Sequence, residues 1–194
     1  ESQQPDPVAA IEAKLDDDIG DERLSLMFAA CHPLLSRDQR TALTLKVIAG
    51  LGIGEIARAF LTQETTIAQR IVRAKKILRD AGISFEVPRG EDRHERLASV
   101  LEAIYLIFNE GYAASNGNDL TRPQLCQEAM RLGRSLTGLA PKEPEARALL
   151  ALMELQASRL KARISATGEA VTLEHQNRAQ WDRLLIQRGL EGLG

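Results

Sequence analysis

Apolar residues recur at helical spacing from about residue 22 to about residue 80 of the chain. One such pattern covers residues 22–31, and Pro33 ends it. Ser36 suits the N-cap of a second helix over residues 37–49, and Gly50 suits the C-terminal cap of that helix. Two more patterns cover about residues 54–60 and 64–80. The first part of the chain is therefore predicted to form four short helices.

Four further helical patterns follow a Pro- and Gly-containing stretch that is typical of a connector. The first runs from Leu97 to Tyr112 and is apolar nearly all round, which predicts a central helix. Residues 115–119 form a predicted loop, and residues 164–173 a possible short hairpin. Asn177 is a candidate cap for the last helix. The fold predicted for the whole chain is all-α.

The pattern over residues 64–80 has two distinct faces. An apolar seam runs at spacings of 4, 3 and 4 through Ile67, Ile71, Ala74 and Leu78. A polar, basic face runs at spacings of 3, 4 and 3 through Thr66, Gln69, Arg73 and Lys76. On the preceding short helix, the small Ala57 allows two helices to cross closely. The pair is interpreted as a helix-turn-helix whose second helix can enter a DNA major groove.

The side chains on this helix fall into two groups by chemistry. Arg73 can make two hydrogen bonds to guanine, and Gln69 can do the same to adenine. Contacts to the DNA backbone are assigned to Thr65 and Thr66 near the helix N-terminus and to the flanking cations Arg70, Lys75 and Lys76. Spacing alone also fits an amphipathic helix with an ordinary solvated charged face.

Charge is distributed unevenly along the chain, although 25 basic and 27 acidic residues give a net charge of only −2. The local net charge is −6 over residues 1–24, +5 over residues 37–80 and −1 over residues 81–194. The positive block coincides with the predicted helix-turn-helix, where it can serve as an electrostatic footprint for nucleic acid. The near-neutral total is therefore no argument against DNA binding.

Composition excludes several other kinds of site. The 7 aromatic residues are too few for a module that stacks bases on aromatic platforms. Cys31 and Cys126 cannot build a disulfide framework, and the adjacent Cys31-His32 pair lacks metal-ligand spacing. No catalytic triad or phosphate-binding loop is present. We therefore expect no enzyme activity, cofactor or metal, and the absence of a signal peptide or membrane span favours a cytoplasmic protein.

The helix-turn-helix segment resembles region 4 of bacterial sigma factors, and the extracytoplasmic-function (ECF) group is closest. The resemblance is carried by Glu55, Ile56 and Ala57 on the first helix and by Thr66, Arg70, Arg73 and Ala74 on the second. It implies binding to the −35 promoter element and contact with the β-subunit flap of RNA polymerase. Two positions depart from the family pattern. Gly52 offers no side-chain oxygen for capping, and Ala68 cannot hydrogen-bond a base.

Residues 101–115 resemble the start of a tetratricopeptide-like extension found in one ECF subgroup. The resemblance implies that the extension modulates sigma activity and offers a place for a regulatory protein. No counterpart of the preceding sigma domain is found before Asp21, so the chain is expected to lack it. The predicted organisation is a tether (1–20), a helix-turn-helix domain (21–83), a connector (84–95) and a helical extension (96–194).

One polar cluster in the extension is a second candidate site for a ligand or an interface. It consists of Tyr105, Asn109, Glu110 and Tyr112, with Gly111 permitting either a close approach or a helix end. Two alternative functions stay open at this point. The chain can be a helical interaction scaffold whose basic helix is incidental, or an enzyme with a pocket around Tyr105, Glu110 and Tyr112.

Overall fold

The computed structural model describes residues 22–83, 86–88, 90–113 and 121–194. The regular elements in these ranges are helices, which confirms the predicted all-α fold. The predicted tether and the predicted loop at 115–119 lie outside the described residues. The helices are α1 (22–30), α2 (Arg37–Val47), α3 (Ile53–Ala59), α4 (Glu64–Asp80), α5 (Glu91–Tyr112), α6 (Pro123–Leu139), α7 (Pro144–Ala157) and α8 (Arg183–Glu191).

Helices α1 to α4 form the N-terminal unit, and local sequence sets their ends. Ser36 caps α2 as predicted, because its hydroxyl accepts from the Gln39 N–H while the Gln39 side chain accepts from the Ser36 N–H. Helix α4 packs against both α2 and α3. The side chains at the centre of the unit are fully buried, among them Phe28, Ile56 and Ile67.

Helix α5 is the central helix that its apolar pattern predicts. It packs against α2 on one side and against α6 and α7 on the other. The side chains of Val100, Ile104 and Ile107 are fully buried. The helix begins at Glu91, within the predicted connector, directly after Gly90 with a φ of +60°. Glu91 and Asp92 suit its first turn, where acidic side chains interact favourably with the positive end of the helix dipole.

The C-terminal half stacks consecutive helices, with α5 on α6, α6 on α7 and α7 on α8. The predicted hairpin is reduced to a single antiparallel bridge between Ile164 and Ala170, with Gly168 at the turn. The prediction that Asn177 caps the last helix is wrong. Its side chain accepts from the Ala179 N–H and starts only the 3₁₀ turn Arg178–Gln180, whereas Asp182 caps α8.

The two halves share one continuous hydrophobic core. Polar contacts tie them together at the periphery, because the Arg37 guanidinium donates to Glu102 and Arg23 lies 2.7 Å from Glu128. Helix α5 therefore packs against helices of both halves. Within the ranges described, no helix combines the length and the apolar character that crossing a bilayer requires.

Candidate nucleic-acid interface

Helix α4 buries one face and presents the other to solvent. The apolar seam of Ile67, Ile71, Ala74 and Leu78 is buried against the N-terminal unit, as its spacing predicts. Thr65, Gln69, Arg73 and Lys76 are all exposed. These four residues are called the outer face of α4 below. The extension leaves this face uncovered, since α5 contacts α2 rather than the outer side of α4.

The other three predicted DNA-contacting residues lie at the edges of α4. Thr66 is half-buried beside the outer face. The guanidinium of Arg70 turns toward α2 and lies 2.8 Å from the Asp38 carboxylate. Lys75 is exposed on the opposite flank, where it lines a groove against α1 and α2. The outer face thus brings together Gln69 and Arg73, whereas Arg70 is held by a protein carboxylate.

The sequence assigned no role to Val72, yet 66% of its surface is exposed beside the outer face of α4. Most of the Val72 side chain is therefore open to solvent. Apolar side chains in a major groove contact thymine methyl groups. The signal for Val72 lies in the helical spacing, because it falls three residues after Gln69 and four before Lys76.

The turn between α3 and α4 has the compact form expected of a helix-turn-helix. Ala57 is buried where the two helices meet, and its carbonyl accepts from the Thr62 N–H at 2.9 Å. Leu61 takes a positive φ of 49° and is 96% exposed. The left-handed conformation is unfavourable for a leucine, so the packing of α3 on α4 sets the backbone of the turn.

The start of α3 shows how the chain manages without a polar side chain at Gly52. The Glu55 carboxylate accepts from the Gly52 N–H at 2.6 Å and so supplies one half of a capping box. This hydrogen bond, assisted by Arg122, lowers the pKa of Glu55. The Arg122 Nη1 atom lies 2.8 Å from Glu55 Oε1. Sequence reasoning missed Arg122, because it lies 67 residues further along the chain and no local pattern marks it.

The polar cluster predicted in the extension does not converge on one site. Glu110 is buried and faces Arg122, with Nη1 at 3.6 Å from its Oε1. Tyr112 turns away from it, stacks on Phe108 at 5.7 Å between ring centroids, and lies under the Arg163 guanidinium at 3.7 Å. The remaining two members, Tyr105 and Asn109, are exposed.

A groove of the N-terminal unit lies between α1, α2 and the end of α4. Its volume is about 660 Å³, and apolar side chains, including Leu26, Leu43 and Val47, form most of its surface. The cations Lys75 and Arg79 also line it. The groove therefore combines an apolar floor with positive charge, which suits an amphipathic partner segment.

Neither cysteine offers a reactive thiol at neutral pH. Burial raises the pKa of Cys31 to about 12 and that of Cys126 to about 12. Both are free and buried, and the Cys31 thiol donates to the Ser99 carbonyl across the two halves of the chain. In the described part of the chain, no three His, Cys, Asp or Glu side chains come together as a group that could hold a metal ion.

Two helices that cross at a buried alanine, with cations on the outer face of the second, define a helix-turn-helix of the DNA-binding class. Residues 25–78 match the family model described as Sigma-70, region 4, so the N-terminal unit is sigma-factor-like. The family implies a promoter-binding role in transcription initiation and interaction with RNA polymerase core. Sigma region 4 is a non-enzymatic transcription-factor domain.

The chain as a whole belongs to the family described as Family of unknown function (DUF6596), whose model matches residues 96–194. An uncharacterized protein from Rhizobium meliloti (strain 1021) is 48% identical over 170 residues, which cover 88% of this chain and 40% of that protein. The matched part of the chain thus spans 40% of the length of this relative. No solved structure matches the chain.

Proposed function

We propose that this chain is part of an ECF-type sigma factor that reads the −35 promoter element with the outer face of α4. The observation that carries the proposal is the exposure of Gln69, Arg73 and Lys76 on one side of a helix whose opposite side is buried. The sigma region 4 match over the same residues supports it. Such a protein acts in the cytoplasm, together with the polymerase.

Base recognition is assigned to the centre of the outer face. Arg73 donates two hydrogen bonds to guanine and Gln69 pairs with adenine, while Val72 contacts a thymine methyl group. Thr65, Thr66, Lys75 and Lys76 contact the phosphate backbone, which positions the helix without reading sequence. Arg70 serves in the same way once its guanidinium exchanges the Asp38 carboxylate for a phosphate.

The polymerase partner is proposed to bind the groove between α1, α2 and α4. The β-subunit flap must reach region 4 without covering its DNA-reading face. The groove meets this requirement, because Lys75, Leu78 and Arg79 line it on α4 and none of the four outer-face residues does. The cation Arg79, which also lines the groove, adds affinity for an acidic or amphipathic flap segment.

The extension is proposed to be tetratricopeptide-like and to modulate promoter binding. Its consecutive helices pack in sequence, as helical-hairpin repeats do. It shares a core with the DNA-binding unit, so its position bears on that unit directly. A regulatory protein bound to the extension would therefore be able to shift α4 through the shared core.

Duplex binding by two matched alanine variants tests this function. Arg73→Ala should cost about 1–3 kcal/mol on a −35-type duplex and relax the base preference, whereas Lys76→Ala should weaken binding to all sequences alike. Binding of the unaltered chain should fall steeply with salt, and Lys76→Ala should reduce that salt dependence by about one ion. Fluorescence anisotropy over a salt series measures both effects.

Two results would overturn the proposal. Duplex binding that neither substitution alters would mean that the outer face of α4 is not the DNA-binding surface. If the unaltered chain bound no duplex at all, the helical-scaffold alternative would replace the sigma function.

A further inference from the structure

Arg122 lies at the point where the extension meets the first helix of the helix-turn-helix. Its guanidinium Nη1 lies 2.8 Å from Glu55 Oε1 on α3 and 3.6 Å from Glu110 Oε1 on α5. Glu110 is only 8% exposed. One guanidinium therefore connects a carboxylate of the DNA-binding unit with a buried carboxylate of the extension.

The extension holds the backbone of Arg122 firmly in place. The Arg122 N–H donates to the Gly111 carbonyl at 2.6 Å. A Cβ atom on Gly111 would lie 2.7 Å from the Cys126 backbone nitrogen and 2.9 Å from the Arg122 carbonyl oxygen. The start of α6 thus sits directly against the end of α5, and Arg122 reaches α3 from a rigid base.

Glu55 is an integral part of the helix that Arg122 contacts. Its carboxylate caps α3 through the Gly52 N–H, since Gly52 has no side chain to do so. The next two residues, Ile56 and Ala57, are buried in the core that α3 shares with α4. A displacement of Glu55 therefore moves α3 and, through the shared core, α4 as well.

We propose that Arg122 is a positioning residue for DNA recognition, through which the extension fixes α3, and with it the reading helix α4, by holding the capping carboxylate of Glu55. This inference rests on the proposed promoter-binding function and names the contact by which the extension governs it. Arg122 acts through Glu55 and not as a phosphate ligand, so its removal alters affinity without removing an ion from the salt dependence.

Duplex binding of the whole 194-residue chain tests the proposal with Arg122→Gln and Glu55→Gln. The glutamine at position 55 keeps the capping hydrogen bond and loses only the charge. Each variant should bind a −35-type duplex about tenfold more weakly, with the salt dependence unchanged. The double variant should bind no more weakly than either single one, because both remove the same contact.

Arg37→Gln is the matched control, since Arg37 also bridges the two halves but its side chain is 77% exposed. It should bind within about twofold of the unaltered chain, as expected for a surface ion pair. Arg122→Lys keeps the charge and should restore part of the affinity. If Arg122→Gln fails to fold because the buried Glu110 has lost its contact with Arg122, Glu55→Gln alone tests the proposal. That variant leaves Arg122 beside Glu110.

Amide hydrogen exchange without DNA separates this inference from the function on which it rests. Exchange across Ile53–Ala59 should speed up in Arg122→Gln and Glu55→Gln and stay unchanged in Arg37→Gln. Unchanged exchange and binding in Glu55→Gln would overturn the positioning role. A salt dependence lowered by one ion in Arg122→Gln alone would show a direct phosphate contact instead. Absence of duplex binding by the unaltered chain would overturn the proposed function itself.

Discussion

At the scale of single residues, the structure adds partners that the sequence could not supply. Glu55 illustrates this, because the sequence marks it as part of a family motif but not as the cap of Gly52 or the partner of Arg122. The Gly52 hydrogen bond and the Arg122 charge both stabilise the ionised carboxylate. The ionised form of Glu55 therefore contributes more to folding than the neutral form does.

The pH dependence of stability tests this role of Glu55. Because the pKa of Glu55 is lower in the folded chain than its ordinary value, its contribution is fully present above that ordinary value and is lost as the pH falls through the folded pKa. Glu55→Gln should therefore be less stable than the unaltered chain by about 0.5–1 kcal/mol at pH 7. Chemical denaturation at a series of pH values measures the difference, which should shrink on acidification. A difference that is constant or grows toward acid pH would contradict the assignment.

At the scale of elements, helical periodicity and capping residues predict most of the helices. The seam of α4 and the cap at Ser36 are local features, and the structure confirms both. The predicted start of the last helix is wrong, because two residues suited to an N-cap lie five positions apart. Asn177 caps the 3₁₀ turn, and Asp182 caps α8. The Glu55–Arg122 contact was unpredictable, since pairing between distant helices depends on how the halves dock.

At Gly111 the end of α5 closely approaches the start of α6, and this position gives a direct test of the docking between the two helices. Gly111→Ala should destabilise the chain by about 1–3 kcal/mol, because the added Cβ meets backbone atoms of Cys126 and Arg122. Gly138 is a matched control in α6, since a Cβ there has no neighbour within 4 Å. Gly138→Ala should be neutral or stabilising by up to about 1 kcal/mol. Thermal unfolding compares the two, and equal effects would contradict the close approach.

At the scale of the whole molecule, the arrangement separates three surfaces. The outer face of α4 is exposed, and the apolar groove lies on another side of the same helix. The extension docks through α5 onto α2 and through Arg122 onto α3. The surfaces proposed for DNA, for polymerase and for a regulator are therefore separate. The net charge of −2 does not reveal this arrangement, because the positive charge is concentrated in residues 37–80, which include α4.

The independence of these surfaces can be tested with one pair of variants. Val47 lines the groove and is 40% exposed, whereas Leu152 on α7 is 43% exposed and does not line it. Val47→Asp should weaken binding to core RNA polymerase by about tenfold and leave duplex binding unchanged. Leu152→Asp should alter neither. Co-sedimentation with core polymerase measures the first effect, and equal losses in the two variants would refute the groove as the polymerase site.

The proposed reading of a specific promoter sequence by the outer face of α4 can be tested by selection from a pool of random duplexes with the whole chain. The unaltered chain should enrich one short motif. Arg73→Ala should lose the guanine preference of that motif, and Lys76→Ala should retain the motif. Recovery of the same motif by Arg73→Ala, or of no motif by the unaltered chain, would show that the outer face of α4 does not read sequence.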